Sequence, residues 1–345
     1  MDIIRRRVLV GSALAVAGAR RLRIASAADA AGTLKISHQF PASSDKDGGG
    51  DFRDRLARKF AVEVEKRTSG KLRMTIYPGS SLMKVNAQFA AVRKGALDLT
   101  LLPLPYAGGE VPELNIAFIP GLVTSYEQGY AWKNAEIGTA VTQFLAEKGV
   151  VLVTWIWQAG GAASRTMPVV APPDVKGLKV RGGSREMDLV IKAAGGATLS
   201  FPSNETYAAM QTGAVDAVTT SSTSLLSFRL AEVSKHLTIN KQGRSYWFML
   251  EPLLMSRKIF DELPKDQQKV IMQVGGDLEK FALDGARADD RAVAQAYTNA
   301  GATVHELSED ALKQWVALSR ETAWKDYATK NETCARFLKL AEQVK

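Results

Sequence analysis

An α/β fold in two lobes is what this sequence predicts, and three observations carry the prediction. Apolar strand patterns alternate with amphipathic helical patterns from Leu34 to Leu104. A second alternation of the same kind runs from Val150 to Thr219. The chain has 345 residues, which is large for one hydrophobic core, so two lobes are the expected division.

Each element has its own signal. Leu34 and Ile36 alternate in a first strand that ends at His38-Gln39-Phe40-Pro41, before the loop Asp45-Lys46-Asp47-Gly48-Gly49-Gly50. Phe52, Leu56, Phe60 and Val64 recur every four residues, the apolar face of a helix that Gly70 stops. Leu72, Met74 and Ile76 form a second strand, broken by Pro78-Gly79. A helix around Asn86–Lys94 ends at Gly95, and Leu97–Leu104 reads as a buried strand. This β-α-β-α-β order argues a parallel sheet with helices on its faces. Val150–Trp157 is a further apolar run, and Gly160-Gly161 reads as a crossing point. Then come a strand at Lys179–Arg181, a helix near Glu186–Ala194, a strand at Ala197–Leu199, a helix around Asn204–Thr212 and a strand at Asp216–Thr219. Tyr246–Ser256 is apolar and strand-like. Pro264 opens a long helix, with Val270, Ile271, Val274, Leu278 and Phe281 at helical spacing and a kink expected at Gly275-Gly276. From Glu309 onward the pattern is helical and amphipathic.

The first 27 residues read as an export signal. A basic cluster at Arg5-Arg6-Arg7 precedes an apolar stretch from Val8 to about Ala19, and the small residues Ala25-Ser26-Ala27 place cleavage after Ala27. Arg5-Arg6 fits either a twin-arginine or a general secretory signal. The apolar stretch is shorter than the ~20 residues a spanning helix needs. Six of the 45 Lys and Arg and one of the 36 Asp and Glu lie in this segment, so its removal takes the net charge from +9 to +4. Much of the basic character is therefore targeting, and no nucleic-acid partner is expected. The modest excess that remains helps attract organic anions. One cysteine, Cys334, excludes an internal disulfide and a cysteine-rich metal site.

Two motifs point to function. The run Pro173-Asp174-Val175-Lys176-Gly177-Leu178-Lys179-Val180-Arg181 is a turn feeding a short strand with a cation at its end. The run from Asn204 to Asp216, N-E-T-Y-A-A-M-Q-T-G-A-V-D, is a short helix, a glycine and another strand. Ligands collect at the carboxyl ends of strands in open α/β sheets, and a guanidinium there is a two-pronged carboxylate donor.

Both runs resemble the solute-binding proteins of tripartite ATP-independent periplasmic (TRAP) transporters, whose patterns are roughly P-x-D-L-K-G-L-K-x-R and S-E-x-Y-x-A-L-Q-T-G-x-V-D. The resemblance extends more weakly over nearly all of the mature chain. It implies the two-lobe periplasmic binding protein fold, with discontinuous lobes, a ligand cleft between them and a long helix spanning both. Lobe I is then expected at 31–153 plus about 243–275, and lobe II at 154–242 plus about 276–345.

The resemblance makes Arg181 the ligand carboxylate's partner. A second family arginine corresponds to Arg165 if a gap is allowed, or to Gly160 without one. Ser184 follows Arg181 in a segment where a small polar residue meets the ligand. After Asp216 the family pattern D-G-x-E-N-P is replaced by Asp216-Ala217-Val218-Thr219-Thr220-Ser221, so Thr220 stands where an Asn contacts ligand. The hydroxyl run continues through Ser222. Gln39 and Phe40 end the first strand, Asn86 opens a helix and Tyr106 follows the third strand, all candidate contacts. Trp157 and Trp247 are candidate walls for an aromatic or 2-oxo acid.

No G-x-S-x-G, H-E-x-x-H, G-x-x-x-x-G-K or G-x-G-x-x-G motif occurs, so neither catalysis nor a cofactor or metal is expected. The reading is an exported, monomeric protein that closes its lobes on a small organic acid and delivers it to a membrane permease. A periplasmic enzyme acting on an organic acid and a ligand-sensing subunit of a receptor are the alternatives.

Overall fold

The computed structural model describes residues 33–44, 49–240 and 243–345. The expected export signal, 1–27, and the loop residues Asp45–Gly48 lie outside the described residues.

Twelve strands form two sheets. The first contains β1 (Thr33–His38), β2 (Arg73–Tyr77), β3 (Leu99–Leu101), β4 (Val150–Thr154) and β11 (Leu253–Ser256), in the order β2-β1-β3-β11-β4. The second contains β5 (Trp157–Ser164), β6 (Lys179–Arg181), β7 (Ala197–Thr198), β8 (Ala217–Ser221), β9 (His236–Ile239) and β12 (Thr303–Glu306), in the order β12-β9-β5-β8-β6-β7, with β10 (Phe248–Leu250) also paired to β5. The parallel set expected at the start of the chain is present, since β1 pairs in parallel with both β2 and β3. β4 does not join it directly. β11 lies between β3 and β4 and is antiparallel to each.

Two local readings differ from the structure. The apolar run Tyr246–Ser256 is two strands in different sheets, β10 and β11, separated by Glu251-Pro252. Proline lacks the N–H that would continue a ladder, so the chain leaves one sheet there and enters the other. Gly160-Gly161 is not a crossing point. The chain crosses between β4 and β5, and both glycines sit inside β5. Their need is steric: a Cβ at Gly160 would lie 2.1 Å from the Thr220 carbonyl oxygen, and one at Gly161 2.0 Å from that of Thr238.

The helix Phe52–Arg67 covers the first sheet with Phe52, Leu56, Phe60 and Val64 all buried, as its four-residue spacing requires. The long C-terminal helical run is two helices, Lys265–Asp277 and Glu279–Asn299, with Leu278 as the joint. The second packs against the helix Phe52–Arg67 on one side and against β5 and β12 of the second sheet on the other. The final helix, Glu332–Ala341, returns to pack on Glu136–Glu147 and Pro112–Phe118. No helix among the described residues is long and apolar enough to cross a membrane.

Gly275-Gly276 does not kink the helix, which continues to Asp277. A Cβ at Gly275 would stand 2.3 Å from the Val153 carbonyl oxygen, whereas one at Gly276 would meet nothing within 4 Å. Opposite effects from the two glycines are therefore predicted. Gly275→Ala destabilises by about 1–3 kcal/mol through overpacking. Gly276→Ala stabilises by up to about 1 kcal/mol through helix propensity. Urea denaturation of the two variants checks both signs.

Candidate functional site

Arg181 ends β6, which runs parallel to β8 with Arg181 opposite Val218. The residue is only 3% exposed. Its Nε donates to the Phe201 carbonyl at 3.0 Å, Nη1 to the Thr219 carbonyl at 2.9 Å and Nη2 to the Tyr106 hydroxyl at 2.9 Å. The Ser203 amide donates to the same hydroxyl at 2.9 Å. Tyr106 Oη thus accepts two bonds, which leaves its own O–H to donate. Three of the guanidinium's five N–H groups are used, and each Nη keeps one. All three acceptors are neutral, and among the described residues no carboxylate forms an ion pair with Arg181. Asp188 lies within its electrostatic reach: burial pushes that carboxyl up to about 6, against the opposing pull of Arg181 and Lys192.

Arg181 lines a tight cavity of about 10 Å³ together with Tyr106, Thr220, Trp247, Arg53 and Glu251. That is room for about one water molecule, so the side chains around Arg181 stand close to one another. Gly183 keeps the guanidinium accessible from one side. Its φ of +94° lies in the left-handed region, and a Cβ there would be 2.7 Å from Arg181 Nη1.

The second cation in the cavity, Arg53, has its charge matched. Asp51 caps the helix Phe52–Arg67 by accepting from the Arg53 amide at 3.0 Å. The same carboxylate holds the Arg53 side chain in a fork, Nε to Oδ1 at 2.8 Å and Nη2 to Oδ2 at 2.6 Å. Arg53 Nη1 lies 3.2 Å from Glu251 Oε2, and Nη2 donates to the Ser224 hydroxyl at 3.1 Å. The guanidinium sits 3.6 Å above the Phe40 ring. Burial opposes its charge, but Asp51 and Glu251 more than offset that and hold it protonated. Glu251 is fully buried in turn. Desolvation pushes its carboxyl up to about 7, with Arg53 pulling down and Asp51 pushing further up.

The predicted site residues divide three ways. Arg181, Tyr106, Thr220 and Trp247 share the cavity. Trp247 packs on Phe118 at 4.9 Å between ring centroids, and its indole N–H has no partner. Asn86 and Ser184 line a separate outer groove that Tyr106 also borders. Ser184 is committed to structure, capping the helix Arg185–Ala193 and donating to the Phe118 carbonyl. Phe40 reaches the site only as the platform beneath Arg53. Gln39 is buried with neither amide atom hydrogen-bonded and does not line the cavity. Ser222 turns toward Asp290 on the helix Glu279–Asn299. Trp157 packs edge-on against Trp132 in the core, not against the cavity.

Arg165 is not brought to Arg181. β5 runs antiparallel to β8, pairing Gly160 with Ser221 and Ser164 with Ala217. Arg165 therefore falls past the start of β8, where its amide bonds the Asp216 carbonyl, while Gly160 sits at the cavity end. A glycine supplies no cation there. Arg53, contributed from the first helix, lines the cavity instead. Arg53 and Glu251 were not among the predicted residues. Glu251 did leave a signal, as the only charge in the apolar run Tyr246–Ser256.

A model of the bacterial extracellular solute-binding proteins, family 7, matches residues 51–331. The chain belongs to this family. A solute-binding protein of Albidiferax ferrireducens is 62% identical over 311 residues, 90% of this chain and 91% of that one. The crystal structure of a TRAP periplasmic solute-binding protein from Rhodoferax ferrireducens, with bound malonate, superposes with a TM-score of 0.88 at 61% identity, covering 90% and 98% of the two chains. The C4-dicarboxylate-binding periplasmic protein DctP of Rhodobacter capsulatus is 26% identical over 286 residues, 82% of each chain. As a TRAP-type solute-binding protein, this chain places a threonine and two serines, Thr220, Ser221 and Ser224, on the cavity wall beside its buried arginine.

The contact between Gly183 and Arg181 yields a prediction. Gly183→Ala costs about 1–2 kcal/mol of backbone strain in the left-handed region, and its Cβ pushes the guanidinium aside. A lowered Tm and a displaced Arg181 side chain in the variant's crystal structure are expected. Unchanged values of both contradict this account.

Proposed function

We propose that this protein captures a small organic acid in the Arg181 cavity and carries it to the membrane permease of a TRAP transporter. The observation that carries this reading is the unmatched charge of Arg181. A buried cation is costly unless paired. Its two spare N–H groups and the free Tyr106 O–H are three donors, the complement of a carboxylate. The malonate in the Rhodoferax structure favours an acid of that size class over an aromatic one.

The cavity draws on both sheets. Arg53, Tyr106 and Phe118 come from segments around the first, Arg181 and Thr220 from the second. Closing a lobe built on each sheet around the ligand assembles these groups, and the closed surface is what the permease reads. The crossings at 155–156 and 251–252 serve as the hinges, and the helix Glu279–Asn299 links the lobes. The work is binding and conformational change, without turnover or cofactor. Export by way of residues 1–27 brings the monomeric protein to the periplasm.

Arg181→Lys tests the reading. A point charge cannot reproduce the planar fork, so the affinity for malonate falls by about 3 kcal/mol, roughly a hundredfold. Isothermal titration calorimetry reads the loss, with thermal unfolding as the check on folding. Undiminished affinity in the folded variant contradicts the proposal.

A further inference from the structure

The cavity that the unmatched arginine lines also holds a carboxyl group, Glu251. Arg53 Nη1 and Gln158 Nε2 both donate to one oxygen of Glu251, Oε2. The other oxygen, Oε1, is buried without a partner. Glu251 itself lines the cavity. A carboxyl group with both donors on one oxygen keeps the other for a proton. Asp51 already holds Arg53 in a fork, so Glu251 receives only the remainder of that cation.

A ligand whose first carboxylate lies on Arg181 presents its far end to this carboxyl group. A second carboxylate there lies in the field of Arg53 and against Glu251 Oε1. Two carboxylates at one site do not both stay ionised, and one takes up a proton. We propose that Glu251 is that acceptor: capture of a dicarboxylate draws one proton from solvent onto Glu251 Oε1, and the resulting O–H donates to the ligand's distal carboxylate. Nothing is released in exchange. Glu251 is thereby the residue that sets the charge class of the ligand. The inference rests on the cavity being the ligand site, as proposed above.

The surrounding groups are compatible with this step. From the helix Phe52–Arg67 and its cap come Arg53 and Asp51. From the helix Glu279–Asn299 comes Asp289, whose carboxyl burial also pushes up while Arg53 and Arg55 restrain it. β5 supplies the neutral Gln158, and the cavity also holds Arg181 with Asp188 in its field. Burial pushes the Glu251 carboxyl up to about 7, against the pull of Arg53. A nearby dianion raises that further, so dicarboxylate affinity is full below about 7 and falls as pH rises above it. With one proton linked, the fall is about tenfold per pH unit until the bound-state value is reached.

The test is calorimetry of malonate and of acetate at pH 8 in two buffers of different ionisation enthalpy, using the full mature chain. The expected result is uptake of about one proton with malonate and none with acetate. Glu251→Gln, a neutral mimic of the protonated side chain, abolishes the uptake and flattens the pH dependence. Malonate binding without proton uptake overturns the inference and leaves the proposed site standing, as does uptake that persists in the folded E251Q variant. Failure of malonate to bind the wild-type protein overturns the dicarboxylate reading of the site and this inference with it. If E251Q does not fold, the buffer dependence of the wild-type protein alone decides.

Discussion

Arg181 is held inside the protein by three neutral acceptors and by no carboxylate, and the surrounding structure is arranged to tolerate that. The Phe201 and Thr219 carbonyls and the Tyr106 hydroxyl fix its plane. Gly183 clears one face. Asp188 lies within the electrostatic reach of Arg181, its carboxyl pushed up to about 6 by burial. Each group stabilises the guanidinium enough to keep it ordered and none cancels its charge. Arg53 is the contrast within the same cavity, because Asp51 and Glu251 neutralise it. One arginine is matched by the protein's own carboxylates, and the other is the proposed partner of an anion from outside.

The fold delivers these groups by topology. β6 and β8 are parallel neighbours, so their carboxyl ends bring Arg181 and Thr220 to one edge of the second sheet. β5 is antiparallel to β8, which turns its first half toward the same edge and its last residues away. The helix Phe52–Arg67 is the next element after β1, and its cap Asp51 holds the Arg53 side chain in a fork at the same cavity. Pro252 breaks the strand run beside Glu251, so the carboxyl sits at the passage between sheets, where a buried charge meets both. The proposed hinge and the proposed ligand contact thus fall on the same short stretch of chain.

Local pattern made much of this legible in the sequence. The spacing of Phe52, Leu56, Phe60 and Val64 fixes a helix face without reference to anything distant, and the structure buries all four. The parallel β1, β2 and β3 follow from strand and helix alternation. Arg181, Thr220 and Tyr106 share the cavity; motif and strand-end position point to the first two, and position after the third strand alone to Tyr106. What depends on partners far along the chain could not be placed. Gly160-Gly161 resembles a turn until the approach of the Thr220 and Thr238 carbonyls is known. Tyr246–Ser256 reads as one strand because sheet membership is a tertiary property. Arg53 and Glu251 are 198 positions apart, and no local signal pairs them. Arg165 failed for a related reason. Its distance from Arg181 is set by the antiparallel register of β5 and β8, which no spacing along the chain records.

The most direct measurement is a crystal structure of the mature protein with malonate. The account predicts one carboxylate on the spare N–H groups of Arg181 and the hydroxyl of Tyr106, with the other end of the molecule beside Arg53 and Glu251. Malonate seated in the outer groove at Asn86 and Ser184, with Arg181 untouched, would contradict it.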